Sequence, residues 1–242
     1  MSEPGLSPPP PPPPPPGGGA GPAGAGLPWE ERARHGVAPA FVETAKLFIV
    51  NPTEAFARAK RSGDLFSPIA FAVVLGWIGV VFQSLWSLAL GSSLTDLLPP
   101  QMREDGGFGA AFQAFGLVAQ IVLAPVFILI FLFIASGIVH LMLMLVGGTK
   151  ASEAGFEGTL RALAYSSVSQ LGSVVPFAGG LIAMIWAIVL ETIGLATLHR
   201  TSDGKAVAAI LLPLLLCCVC LVFAFGSIVA LIAGAAASGA GN

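Results

Sequence analysis

Polar side chains that fall inside apolar stretches are the residues most able to do chemistry here, because lipid makes them costly and they turn toward protein or water. Glu191 lies in the apolar run 181–199 and His140 in the run 117–146. Ser166, Ser169, Gln170 and Ser173 follow one another at i, i+3, i+4 and i+7, one stripe on one helix face. A carboxyl, an imidazole and a row of hydroxyls are the parts of a proton or ion relay. The same groups also fit a structural role, with a protonated Glu191 hydrogen-bonded to Gln170 or a serine and holding helices together. Both readings stay open on the sequence.

Spacing brings these groups to similar depth. His140 is six residues from the end of its run, roughly 9 Å at the α-helical rise, and Glu191 is eight residues from His199, about 12 Å. A tight hairpin at residues 176–180 puts Glu191 level with Ser167, and Gln170 level with Ile188. Gly179, Ala183, Ala187 and Glu191 are spaced by four, so the carboxyl shares a face with small residues that let another helix come close.

The elements that position these residues follow from composition. The chain has 242 residues, 55% hydrophobic and 10% charged, with a mean hydropathy of +0.85. A soluble domain carries about 25% charge, so an ordinary water-facing domain is excluded. A formal net charge of −2 excludes a strongly basic nucleic-acid binder. The expectation is an all-α polytopic transmembrane bundle. Its five spans are placed at residues 65–94, 117–146 (containing Pro125), 160–177, 181–199 and 206–237. Ten of the 11 Lys and Arg fall on the amino-terminal side of such a five-pass chain and one, Arg103, on the other. The positive-inside rule then places the amino terminus in the cytoplasm and the C-terminus outside. The last span carries Gly226, Ala230 and Gly234, a close-packing face for the bundle or for a second copy.

Ahead of the spans, residues 1–28 contain nine consecutive prolines, Pro8 to Pro16, and no basic-then-apolar signal pattern. The expectation is a disordered tail with polyproline II character, a spacer or a ligand for a proline-binding partner, and no cleavable signal peptide. Residues 29–64 read as a cytoplasmic amphipathic segment. Phe41, Ala45, Phe48 and Ile49 have helical spacing, and Asn51-Pro52-Thr53-Glu54 marks a fresh helix start. Trp29, Phe41 and Phe48, with Arg58, Lys60 and Arg61, form a candidate surface for anionic lipid or a protein partner. Packing against the underside of the bundle is the other use of the same face. Residues from 65 to 237 complete the membrane domain.

Catalytic and metal motifs are not present. The chain has no HExxH and no GxSxG, and Cys217, Cys218 and Cys220 sit together in one apolar run as small hydrophobes. No catalytic residue, metal ligand or cofactor is expected. His199 and Arg200, at a helix end, read as a cationic cap.

An ordered series of short motifs carries a resemblance. Pro28-Trp29-Glu30, Thr44, Asn51-Pro52 and Phe56 are followed by His140-Leu141 and Gly147-Gly148. Then come Phe156, Thr159, Arg161, Tyr165, Val175-Pro176, Ile185-Trp186, Ile193-Gly194-Leu195, His199, Ser202, Gly204-Lys205-Ala206 and Leu212-Pro213. Over residues 28–225 the chain resembles the bacterial branch of the Yip1 family. The resemblance implies a five-span helical domain with a cytoplasmic amino-terminal segment in a bacterial inner membrane. Eukaryotic members act in vesicle traffic and bind Rab GTPases, and they carry an Asp-Leu-Tyr-Gly-Pro signature in their spans. That run does not occur in this chain, so Rab binding does not carry over. The functional expectation is a non-enzymatic protein for membrane organisation, scaffolding or a trafficking-like adaptor role. Its partners would be membrane lipids, a protein at the amino-terminal segment, or a second copy. The alternative is a small proton- or ion-coupled transporter or channel using Glu191 and His140.

Overall fold

The computed structural model describes residues 26–96 and 108–239. The proline tract and Arg103 lie outside them. All regular structure among the described residues is helical. Three short helices come first: α1 (Arg32–His35), α2 (Val37–Val50) and α3 (Pro52–Arg58). The long helices are α4 (Phe66–Asp96), α5 (Phe108–Leu145), α7 (Gly179–His199) and α8 (Asp203–Gly239). Between α5 and α7 runs α6 (Gly155–Ser166), continued without a break by a 3₁₀ stretch, Ser167–Val174.

Four segments are long and apolar enough to cross a bilayer: Phe66–Leu90, Phe115–Leu145, Gly179–His199 and Asp203–Ser227. They match four of the five expected spans. The expected span at 160–177 differs in kind. It is α6 plus the 3₁₀ stretch, displaced toward the amino terminus, two pieces of 12 and 8 residues that are each too short to count among the four spanning helices. Its polar residues are explained by its position. Every residue from Gly158 to Ser166 is buried, including Arg161. Packed by α4, α5 and α7, this segment meets protein where the others meet lipid, and so needs no apolar coat.

The change from α to 3₁₀ has a local cause. Ser166 donates to the Ala162 carbonyl (2.7 Å), Ser167 to Ala164 (2.6 Å) and Ser173 to Gln170 (2.5 Å). Hydroxyls bonding back onto the preceding turn compete with the i−4 ladder and bend it. Small residues then let the neighbours close in. A Cβ on Gly79 of α4 would lie 3.1 Å from Gln170, and one on Gly172 would lie 3.0 Å from the Ala183 amide nitrogen. Of the expected small-residue face of α7, Gly179 and Ala183 are thus seated on the 3₁₀ stretch, whereas Ala187 and Glu191 line a cavity and make no such contact.

The amino-terminal helices cap one end of this bundle. Asn51 caps α3 as its spacing requires, its Oδ1 accepting from the Glu54 amide at 3.3 Å, with Pro52 in the first turn. Phe48 and Phe56 stack edge to face at 4.8 Å, and Phe48 lies parallel to Tyr165 of α6 at 5.1 Å. Gly194 of α7 receives the Phe56 ring so closely that a Cβ there would lie 2.8 Å from it. At the other end of the chain, α8 is buried at Ala206 and Ala209 but exposed over Leu214–Leu216. Nothing in the bundle approaches Gly226 within 4 Å, and the side chains of Ala230 and Gly234 lie outside the described residues. Cys217, Cys218 and Cys220 are free and exposed on α8.

Candidate functional site

The polar groups expected to form one relay sort into two places. Glu191 of α7, Ser166 of α6, and Ser167, Ser169 and Gln170 of the 3₁₀ stretch share a cavity of about 710 Å³. Its opposite wall is mostly apolar, with Phe127, Ile128 and Phe131 of α5 and Gly76 of α4 among its residues and Gln120 of α5 its one polar side chain among the described residues. Helix α5 packs mainly on α4, α6 and α8, which leaves the space between α5 and α7 open.

Most of the cavity floor offers acceptors, while the Gln170 amide and the Ser169 hydroxyl keep donors as well. Ser166 and Ser167 have spent their protons on their own helix carbonyls, so they offer only lone pairs. Ser169 is 2% exposed and its hydroxyl has no partner. Glu191 shows no hydrogen bond or ion pair among the described residues, so the expected bond to Gln170 or a serine is not formed. Among the described residues no Lys, Arg or His lines the space.

His140 does not line this cavity, and the expected pairing with Glu191 is not what the structure assembles. Its Nδ1 lies 2.8 Å from the Thr159 hydroxyl, which lies 2.9 Å from His199 Nε2. His199 Nδ1 in turn is 3.0 Å from the Ser152 hydroxyl. Three elements are tied at one level: α5 by His140, α6 by Thr159 and α7 by His199. A hydroxyl has one proton and two lone pairs, so between neutral rings Thr159 donates to one and accepts from the other, which sets complementary tautomers. His199 is fully buried here and is a linker of helices more than the cap expected of it. Two histidines near the same end of their spans were the signal that could have exposed this chain of bonds. Thr159 itself carried none.

The candidate lipid or partner surface also divides. Trp29 is 6% exposed and Phe48 fully buried, while Phe41 is half-buried against Trp29 (5.4 Å) and Phe71 (5.0 Å). These rings are core, because α4 and α6 offer them aromatic partners. Trp29 Nε1 donates to the Ser67 carbonyl at 2.7 Å, and the Trp29 amide donates to the Thr44 hydroxyl at 2.9 Å. Arg32 lies over the Trp29 ring at 5.1 Å and donates to the Ser67 hydroxyl at 2.7 Å. The basic half stays outside: Lys60 and Arg61 are exposed, and Arg58 is half-buried in an ion pair with Glu54.

Two buried groups fasten the cap. The Tyr165 hydroxyl donates to the Glu30 carboxylate at 2.8 Å, and the Lys60 amide donates to the same carboxylate at 3.1 Å. Burial pushes the Glu30 carboxyl above its ordinary value of 4.5, against the opposing pull of those two donors. Asp64 goes the other way: slight burial is outweighed by its bonds from the Ser67 hydroxyl and amide, and its carboxyl is held low. Arg161, fully buried, donates to the Gly63 carbonyl and lies 3.8 Å from Glu157.

Comparison with known families decides the lineage. The sequence profile of the Yip1 domain matches residues 46–237, most of the chain. The chain belongs to the Yip1 domain family. Neither the curated proteins nor the solved structures contain a match to it. The Yip1 match begins inside α2 and takes in the cavity, the histidine–threonine bridge and Arg161. Trp29 and Glu30 lie ahead of the matched residues yet pack into the domain. With its apolar spans, this Yip1 protein is a multi-pass membrane protein.

Proposed function

We propose that this Yip1 protein is a non-enzymatic membrane-organising scaffold of the family's bacterial branch, lying in the inner membrane with its amino terminus in the cytoplasm. Five passes underlie this reading. Twelve residues of α6 and eight of the 3₁₀ stretch reach about 34 Å together, against a hydrocarbon core of roughly 30 Å. The 3₁₀ rise gives this polar segment the length it needs, and alternation then puts the C-terminus outside. A C-terminal label reached by impermeant reagent in intact cells is expected. A label reached only after lysis would refute the topology.

One observation supports the scaffold best. The cap is fixed to the bundle by its rings, and what it turns outward is mixed apolar and basic. Val42 (62% exposed), Ile49 (47%) and Val50 (72%) lie on the outer side of α2 with Lys46, and Lys60 and Arg61 follow. An apolar row beside cations suits the headgroup layer of an anionic leaflet. The lipid-facing residues in this reading are those of α2, in place of Trp29 and Phe48. A fluorophore at Val42 or Ile49, in the full chain reconstituted with 30% anionic lipid, should be quenched by brominated acyl chains. Quenching only by aqueous iodide would end the proposal.

The second reading is a proton- or ion-coupled transporter, and it now rests on Glu191 and its cavity without His140. Proteoliposome flux that disappears in Glu191→Gln would favour it. Flux at background in both proteins would remove it.

A further inference from the structure

The cavity at Glu191 is too large and too apolar for a bare ion, and its polar floor sets a carboxyl beside a buried hydroxyl that has no partner among the described residues. At about 710 Å³ it falls within the 300–1,000 Å³ typical of organic-ligand sites. The floor is rich in acceptors, with the Gln170 amide and the Ser169 hydroxyl as its donors. Glu191 brings a carboxyl, and Ser166 and Ser167 bring hydroxyl oxygens whose protons are already committed. Ser169 adds a buried hydroxyl with no partner at all. A buried polar group left unpaired is expensive, and a carboxyl beside one more so, unless a ligand completes both. Among the described residues no cationic side chain enters the space to do this.

An ammonium group is the complement. It carries three N–H donors and no acceptor. It makes charge-assisted bonds to a carboxylate, and the neutral amine accepts from the protonated acid. Two rings on the facing wall, Phe127 and Phe131, are placed to meet a cation or its alkyl body. Leu123, Phe127 and Phe131 are also 47%, 51% and 64% exposed on the outer side of α5, so the mouth opens sideways into the bilayer. The occupant therefore arrives through lipid and has a long apolar body.

The geometry points to a binding site for a lipophilic primary amine, with its nitrogen at Glu191 and Ser169 and its hydrocarbon body along Phe127, Ile128 and Phe131. This uses the same cavity as the transport reading but requires no movement across the membrane. Binding with background flux satisfies it and leaves transport refuted.

The test uses the full chain in nanodiscs and a dodecylamine probe bearing a diazirine on its alkyl tail. The matching dodecanol probe serves as the comparison. The amine is expected to label α5 near Ile128 and the segment around Leu163, about tenfold more than the alcohol, and to be competed by plain dodecylamine. In Glu191→Gln that preference should fall to about one. In Ser169→Ala labelling by the amine should fall several-fold, while the alcohol is unchanged. Thermal unfolding confirms that each variant is folded. If Glu191→Gln does not fold, the amine-to-alcohol ratio of the unmodified protein and the Ser169→Ala result decide. Equal labelling by amine and alcohol, labelling outside the cavity, or a preference that survives Glu191→Gln overturns the proposal.

Discussion

The bond between Tyr165 and Glu30 should govern how firmly the amino-terminal cap stays docked. Glu30 is 8% exposed and its carboxylate holds two donors, the Tyr165 hydroxyl at 2.8 Å and the Lys60 amide at 3.1 Å. Tyr165→Phe removes the first with little change of shape. Buried hydrogen bonds to charged groups are worth about 1.5–3 kcal/mol, so the undocked population should rise roughly 10- to 150-fold. Amide hydrogen exchange of Ala40, Thr44 and Phe48 in α2 measures that population directly. In a Glu30→Gln background the lost bond is neutral, worth about 0.5–1.5 kcal/mol, and Tyr165→Phe should cost correspondingly less. Acidity gives an independent check. The folded carboxyl titrates above 4.5, so Glu30 contributes its full stability below that value and loses it as pH rises through the raised value. Protection in α2 should therefore increase from neutral pH toward 4.5 in the natural protein, and this slope should flatten in Glu30→Gln. Exchange within twofold of the natural protein in Tyr165→Phe, or the same factor in both backgrounds, would refute the reasoning.

Three further outcomes follow from close contacts. Gly194→Ala places a Cβ 2.8 Å from the Phe56 ring and 3.1 Å from Ala162, and should cost about 1–3 kcal/mol in thermal unfolding. Gly180→Ala, with nothing within 4 Å, should be near neutral in the same scan. Thr159→Val leaves one nitrogen each on His140 and His199 without a partner, and should lower stability by about 1–3 kcal/mol per unsatisfied group, whereas Thr159→Ser should restore most of it. Arg161 keeps Nε and Nη1 unpaired in the core, so Arg161→Met, which fills the space without the charge, should destabilise less than Arg161→Ala. Equal melting temperatures for the two Arg161 variants would contradict this.

What the sequence made legible was whatever depends on neighbours in the chain. Lipid demands an unbroken apolar stretch, and the runs ending at Leu145 and His199 were therefore plain. Asn51 with Glu54 is a local capping pattern, and it forms as spacing requires. The direction of an aromatic face is different. Phe41 and Phe48 at helical spacing say that one side is apolar, but lipid and bundle ask for the same side chains. Only Phe71 and Tyr165, brought from elsewhere in the chain, decide that Phe48 turns inward. The relay failed for a related reason. Depth along a helix can be counted from sequence, and His140 and Glu191 have similar depth. Rotation about the helix axis cannot, and α6 supplies Thr159 to His140 while its 3₁₀ continuation faces Glu191.

The serine stripe shows how a polar segment can be central without being the adhesive. Its hydroxyls at Ser166 and Ser173, and that of Ser167 beside them, end on carbonyls of their own turn, so they bring no donors to α4 or α7. What holds the segment is close approach at residues with no side chain, together with the Trp86 indole of α4, which donates to the Ser173 carbonyl at 3.1 Å. Gly79 admits Gln170, Gly172 abuts Ala183, and Gly179 sits where a Cβ would lie 2.8 Å from the Gly172 carbonyl. In lipid, association has no hydrophobic drive between helices and depends on such close packing. Polarity and packing are therefore divided in this segment. Glycines bring the helices close, and Ser166, Ser167 and Ser169 present their oxygens to the cavity between α5 and α7. Glu191 completes that surface from α7. A carboxyl that helps no helix contact, beside hydroxyls that help none, is better explained by an occupant than by the fold.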